Sequence, residues 1–164
     1  MSDEPIRYME RTRNYYRALG YERDYRWAQN DDAPFARLDK PLSEARIACI
    51  GTSYLPDPAG GSWSPDNPPP KEVWSHAVAD APADLYNQNL AWDKEQTHTR
   101  DRESYLPLKA LAALADRGVI GGIAPRFHGV PTVYSHRETT EADAPKLLER
   151  LREDQADAAL LAAL

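Results

Sequence analysis

The stretch Arg46-Ile47-Ala48-Cys49-Ile50-Gly51-Thr52 constrains the fold more than any other part of the chain. It is a short apolar run bounded by turn chemistry, the pattern of a strand buried on both faces of a parallel sheet. Such a strand needs cover above and below, and helical periodicity supplies the candidates. Leu108, Leu111, Ala112 and Ala115 share one face of a predicted helix over 105–117, which Gly118 can stop. Leu147, Leu148 and Leu151 form the apolar stripe of a second over 143–153. There Asp143 is the predicted N-cap, and Pro145 sits in the first turn, where its missing N–H costs nothing. A third predicted helix, 5–19, carries Tyr8, Thr12, Tyr15, Tyr16 and Leu19 on one side and ends at Gly20.

The closing run Asp157-Ala158-Ala159-Leu160-Leu161-Ala162-Ala163-Leu164 favours helix by propensity alone, since Ala and Leu lead that scale. Its position after a helix and the polar turn Glu153-Asp154-Gln155-Ala156 argues for a strand instead. The segment from Val73 to Ala79 is a further candidate strand. Helices alternating with short apolar runs predict a three-layer α/β domain with a mostly parallel, Rossmann-like or flavodoxin-like sheet, the Cys49 and Leu160 strands at its centre.

At 164 residues the chain has the size of a single domain, 1–164. Residues 1–33 read as an N-terminal helical extension and 54–72 as a Pro/Gly-rich loop. Between Tyr54 and Pro70 lie six prolines and Gly60-Gly61, which can hold neither a ladder nor a helix. A loop this long in a compact domain is usually functional or mobile.

Composition narrows the classes of function. No run approaches the roughly 20 apolar residues that span a bilayer, and the mean hydropathy is −0.70. The N-terminus is acidic and then Arg-rich, with no apolar stretch of the secretory kind, and a single cysteine, Cys49, allows no internal disulfide. These features predict a cytoplasmic protein. A net charge of −6 and a pI of about 5.2 argue against broad affinity for nucleic acid or anionic lipid. Arg7, Arg11, Arg13, Arg17, Arg23 and Arg26 do alternate with tyrosines and Trp27 near the N-terminus, but Asp3, Glu4, Glu10, Glu22 and Asp24 offset most of that charge. Arginine stems covering aromatics explain the pattern better than stacked bases do.

Chemistry-bearing side chains concentrate in three places. Cys49, mid-strand, lacks the exposure and positive surroundings of a nucleophilic thiolate and reads as a small buried hydrophobe. The stretch Trp92–Glu103 carries His98 and Asp101. These are either two ligands of a divalent ion or part of a solvated loop, and no fixed metal spacing is met. The run Gly118–Gly129 contains Arg126, able to hold a carboxylate bidentately, and His128, able to move a proton. A turn with an ordinary surface pair is the alternative there, and no phosphate-loop order is present. Ligands of open α/β sheets bind at the carboxyl ends of strands, which adds Thr52 and Ser53 as donors to an oxyanion or carboxylate. The predicted substrate-binding residues are therefore Thr52, Ser53, Arg126, His128, His98 and Asp101, with no metal site.

Several strings agree in order and spacing with a known family. Pro34-Phe35-Ala36-Arg37-Leu38-Asp39-Lys40-Pro41-Leu42-Ser43-Glu44-Ala45-Arg46 leads into the Cys49 strand. Trp92-Asp93 with Asp101, then Tyr105-Leu106-Pro107-Leu108-Lys109-Ala110-Leu111, then Gly118-Val119-Ile120-Gly121-Gly122-Ile123-Ala124-Pro125-Arg126 follow, and Asp154-Gln155-Ala156-Asp157-Ala158-Ala159-Leu160-Leu161 closes the series. Together, from about Pro34 onward, these resemble the selenoprotein B family of glycine, sarcosine, betaine and D-proline reductases.

The resemblance implies an α/β oxidoreductase that cleaves an amino acid or amine reductively, with a disulfide as acceptor. In that chemistry a selenolate or thiolate attacks the substrate carbon and displaces the amine, and thiols regenerate it. The family carries its selenocysteine or cysteine just beyond the last strand, which here means past Leu164. Hence no catalytic residue or cofactor is expected within these residues, selenocysteine is expected downstream, and the expected cause is a UGA codon read as a stop. The implied partners are a small amino-acid or amine substrate and a thiol/disulfide redox protein or sister subunits. The competing expectation is a non-enzymatic module that binds a small carboxylate or a partner subunit.

Overall fold

The computed structural model describes residues 5, 7–24, 26–64, 66–87, 99–130 and 132–162. They fall into two compact units, Met1–Phe35 and Ala36–Leu164. The first holds helix α1, Tyr8–Ala18. Gly20 closes it at φ +86°, donating its N–H to the Arg17 carbonyl at 3.0 Å. Arg17 donates to both Asp24 carboxylate oxygens, and the Arg13 guanidinium lies 5.0 Å from the centre of the Trp27 ring. No residue of α1 is buried, so the predicted tyrosine face is present but exposed.

The second unit is α/β. Strand β1, Arg46–Gly51, is its axis, and all but Arg46 are buried. β3 (Gly122–Ile123) pairs in parallel with the first two residues of β1, and β4 (Arg126–Gly129) pairs in parallel with the last two. β5, Ala158–Ala162, pairs in parallel with β1 over five residues, from Ile47↔Ala158 to Gly51↔Ala162. Because β5 uses the same β1 residues as β3 and β4, it lies on the other side. β2, Trp74–Ala77, pairs antiparallel with β4 and forms the far edge. Pro125 explains the break between β3 and β4: it has no N–H to donate, and its carbonyl accepts from Val78 across the sheet at 2.9 Å.

Side chains alternate across these strands, so Ile47, Cys49 and Phe127 share one face. There they pack with Tyr105, Leu106, Ile120 and with Leu108 and Leu111 of α2, Leu108–Asp116. Glu103 caps α2 by accepting from the Lys109 N–H at 2.8 Å. Ile50 and His128 face the opposite way, toward α4, Ala144–Glu153. α4 continues a helix that begins with α3, His136–Glu138, and passes through a π-helical stretch, Thr139–Asp143.

The sheet is mixed: β1 pairs in parallel with β3, β4 and β5, while β2 runs antiparallel at the edge. Three sequence expectations need correction. The Leu160 strand is an edge rather than a centre; Leu160 is 41% exposed and Leu161 71%. Within the glycine-rich run read as a turn lie β3 and β4, the latter buried from Phe127 to Gly129. Finally, the helix predicted from Asp143 starts at His136, capped by the Ser135 hydroxyl accepting from the Glu138 N–H, while Asp143 makes no cap bond.

The segment after β1 contains no helix or strand over 55–64 and 66–72, as its prolines dictate, yet it is anchored. Tyr54 and Tyr86 exchange both backbone hydrogen bonds, and the Trp63 indole donates to the Leu55 carbonyl at 2.7 Å.

Candidate functional site

The densest polar cluster lies between α4 and the His128 face of the sheet. His128 is fully buried, and its Nδ1 sits 2.8 Å from the Ser75 hydroxyl on the neighbouring strand. Arg150 of α4 donates to that same hydroxyl at 3.0 Å. The Asp154 carboxylate beside Nε2 favours the ring N–H at that nitrogen, which leaves Nδ1 to accept from the Ser75 hydroxyl. Nε2 lies 3.1 Å from Asp154 Oδ2, a close electrostatic contact too far off line for a hydrogen bond. Asp154 Oδ1 accepts from Arg126 Nε at 2.8 Å, and Arg126 also donates to Glu153 at 2.8 Å and to the Arg150 carbonyl at 3.3 Å.

This is a serine–histidine–aspartate string, but its geometry is that of a structural network. The imidazole has no open side, and the Ser75 oxygen already has two partners. The cluster fastens the C-terminal end of α4 to β2 and β4. Burial pushes the His128 pKa below its ordinary 6.5, and the cations of Arg126 and Arg150 oppose protonation further, although Asp154 favours it. A depressed native pKa means that the unfolded chain takes up the proton first as pH falls. The His128 contribution is therefore complete above about 6.5 and declines below it. Urea midpoints should drop from pH 7.5 toward pH 5.5, and His128→Gln should flatten that part of the profile; an equal slope in both proteins would refute the assignment.

Thr52 and Ser53 follow β1 at the carboxyl edge of the sheet, and the Ser53 hydroxyl lies on the Leu106 side, whereas Asp143 belongs to the helix over the opposite face. Ser53 is buried and its hydroxyl has no hydrogen-bond partner, while its carbonyl accepts from the Trp74 indole at 3.0 Å. Thr52, next to it, is half-buried. Asp143 is 5% exposed, with Oδ2 likewise unpartnered. Desolvation raises its pKa first, the Glu138 charge adds to that, and Lys146 works against both.

The six predicted substrate-binding residues thus separate. Thr52 and Ser53 lie at the carboxyl edge, where open α/β sheets bind ligands. Arg126 and His128 belong to the interior network, and their partners are Glu153, Asp154 and Ser75. Asp101 is exposed and its carbonyl accepts from Ser104 at the start of a short 3-10 helix, Arg102–Ser104. His98 and Trp92–Asp93 lie outside the described residues. Among the described residues no group of three or more His, Cys, Asp or Glu side chains could hold a metal ion, and no helix is long and apolar enough to cross a membrane. Cys49 is buried with its thiol pKa pushed up to about 11 by desolvation, which makes it a poor nucleophile at neutral pH.

Sequence reasoning passed over Ser75, Asp154 and the buried state of Asp143. No sequence signal pointed to them, because Ser75, His128 and Asp154 are brought together only by the fold. Compared with protein-family models, curated proteins and solved structures, the chain has no match.

Proposed function

We propose that this chain is the scaffold of a cytoplasmic oxidoreductase of the selenoprotein B type, which cleaves an amino acid or amine reductively, a dithiol supplying the two electrons and ending as the disulfide. The observation that supports it is the alignment of β5 with β1. Two strands that run parallel and in register end at the same edge, where Thr52 and Ser53 follow β1. A selenolate or thiolate borne just after β5 would stand at that edge, and a nucleophile there must be ionised at neutral pH. The Rossmann-like or flavodoxin-like winding belongs to this proposal too: α2 and α4 cover opposite faces of the sheet. A thiol/disulfide protein or sister subunits would recycle the nucleophile, and the residues up to Leu164 would be inactive alone. The competing carboxylate-binding reading loses its anchor, since Arg126 already holds Glu153 and Asp154.

The gene tests this directly. The codons that follow Leu164 should encode a selenocysteine or cysteine within a few positions, with a further cysteine close by. An ordinary stop with no cysteine-bearing frame behind it would remove the proposal.

A further inference from the structure

The Pro/Gly-rich segment after β1 encloses a cavity of about 200 Å³ against Trp74. Trp74 opens β2 and pairs with Gly129, the last residue of β4, so its indole stands at the carboxyl edge of the sheet, on the Phe127 face. Tyr54, Trp63, Trp74 and four prolines of the segment line the cavity, and Glu72 is the one charged residue among its walls. Both indoles are held in place. Trp63 donates to the Leu55 carbonyl at 2.7 Å and Trp74 to the Ser53 carbonyl at 3.0 Å. One side of the Trp74 ring rests on Gly129, where a Cβ would fall 1.9 Å from Cε2, which leaves the other side to the cavity.

These walls select among guests. Because both indole N–H groups are spent on carbonyls of the chain itself, the two rings offer π-faces and no donors. A proline-rich peptide, another guest of aromatic grooves, carries unpaired carbonyls that need such donors. Charge excludes an anion, since the segment from Tyr54 to Glu72 carries Asp57, Asp66 and Glu72 against Lys71 alone. A primary ammonium would bring three N–H donors to walls with a single carboxylate. A quaternary ammonium brings positive charge with no donor to satisfy, and indole faces are the surfaces that attract it best.

We propose that this cavity binds a quaternary ammonium group, with Trp63 and Trp74 supplying the aromatic contact and Glu72 the countercharge. The site goes beyond the reductase reading and does not depend on it: the lining alone supports it, and its test involves no turnover.

The test is a titration of the chain with choline chloride, followed by the indole N–H signals of Trp63 and Trp74 in NMR spectra. Dimethylbutanol, which replaces the trimethylammonium group by an uncharged tert-butyl group of the same shape, is the control. Choline should shift both signals saturably, and dimethylbutanol should bind at least about fivefold more weakly, the cation–π share of the affinity. Trp63→Ala should weaken choline binding about tenfold, whereas Trp63→Phe, which keeps an aromatic face, should retain most of it. Glu72 is exposed, so Glu72→Gln leaves the fold intact. It should weaken choline binding roughly threefold, a difference that fades with added salt. The absence of saturable shifts, equal affinity for dimethylbutanol, or undiminished binding in both Trp63→Ala and Glu72→Gln would overturn the site. Co-sedimentation with phosphatidylcholine vesicles would identify a lipid headgroup as the source of the cation, and choline binding without it a free solute.

Discussion

Asp154→Ala should destabilise the protein by about 1.5–3 kcal/mol, the range for losing a hydrogen bond to a charged group. Asp154 is 5% exposed and answers two groups at once, Arg126 Nε at 2.8 Å and His128 Nε2 at 3.1 Å. Without it the imidazole N–H of a fully buried histidine faces the Arg126 cation with nothing between them. Arg126 retains Glu153, but that carboxylate is on the exposed side, where an ion pair contributes little. The loss should appear in urea unfolding at pH 7 as a lower midpoint with an unchanged slope. Asp154→Asn, which keeps an oxygen for Arg126, should recover part of it. A loss within about 1 kcal/mol, the range of a surface pair, would contradict the network.

Gly129→Ala should cost about 3 kcal/mol, at the upper end for overpacking a filled core. A Cβ at Gly129 would fall 1.9 Å from Trp74 Cε2, inside the indole ring of the neighbouring strand. The ring is held in place by its donation to the Ser53 carbonyl at 3.0 Å and by an edge contact with Phe127, centroids 5.4 Å apart. It cannot turn aside without losing both. Trp74→Leu alone should also destabilise, yet combined with Gly129→Ala the two losses should sum to less than their separate values. Strict additivity in denaturant melts would mean that the ring does not lie on Gly129.

The two helices on the sheet and β1 were legible because their apolar spacing alone decides them: Leu108 and Leu111 for α2, Ile47 to Ile50 for β1. For β5, position in the chain outweighed the helix propensity of Ala and Leu, and pairing with β1 determined the outcome. β4 escaped notice because Arg126-Phe127-His128-Gly129 has one apolar residue among four, and its burial depends on partners far along the chain, Ser75 and Asp154. No spacing rule connects those residues; the fold does. For the same reason Arg126 and His128 read in sequence as ligand contacts, although Arg126 already binds Glu153 and Asp154 and His128 is buried against Ser75 and Asp154. The carboxyl-edge expectation for Thr52 and Ser53 needed only the direction of β1, while the unpartnered state of Asp143 required the actual course of the helix through its π-helical turn.

Dithiothreitol-driven turnover is the most direct test of the reductase account. The chain ending at Leu164 and a version carried on through the next downstream cysteine would be incubated with glycine, sarcosine, betaine or D-proline, and release of the cleaved product followed. The account predicts cleavage by the longer version alone, abolished when its first selenocysteine or cysteine is replaced by serine. No cleavage by the longer version, or equal cleavage by both, would contradict it.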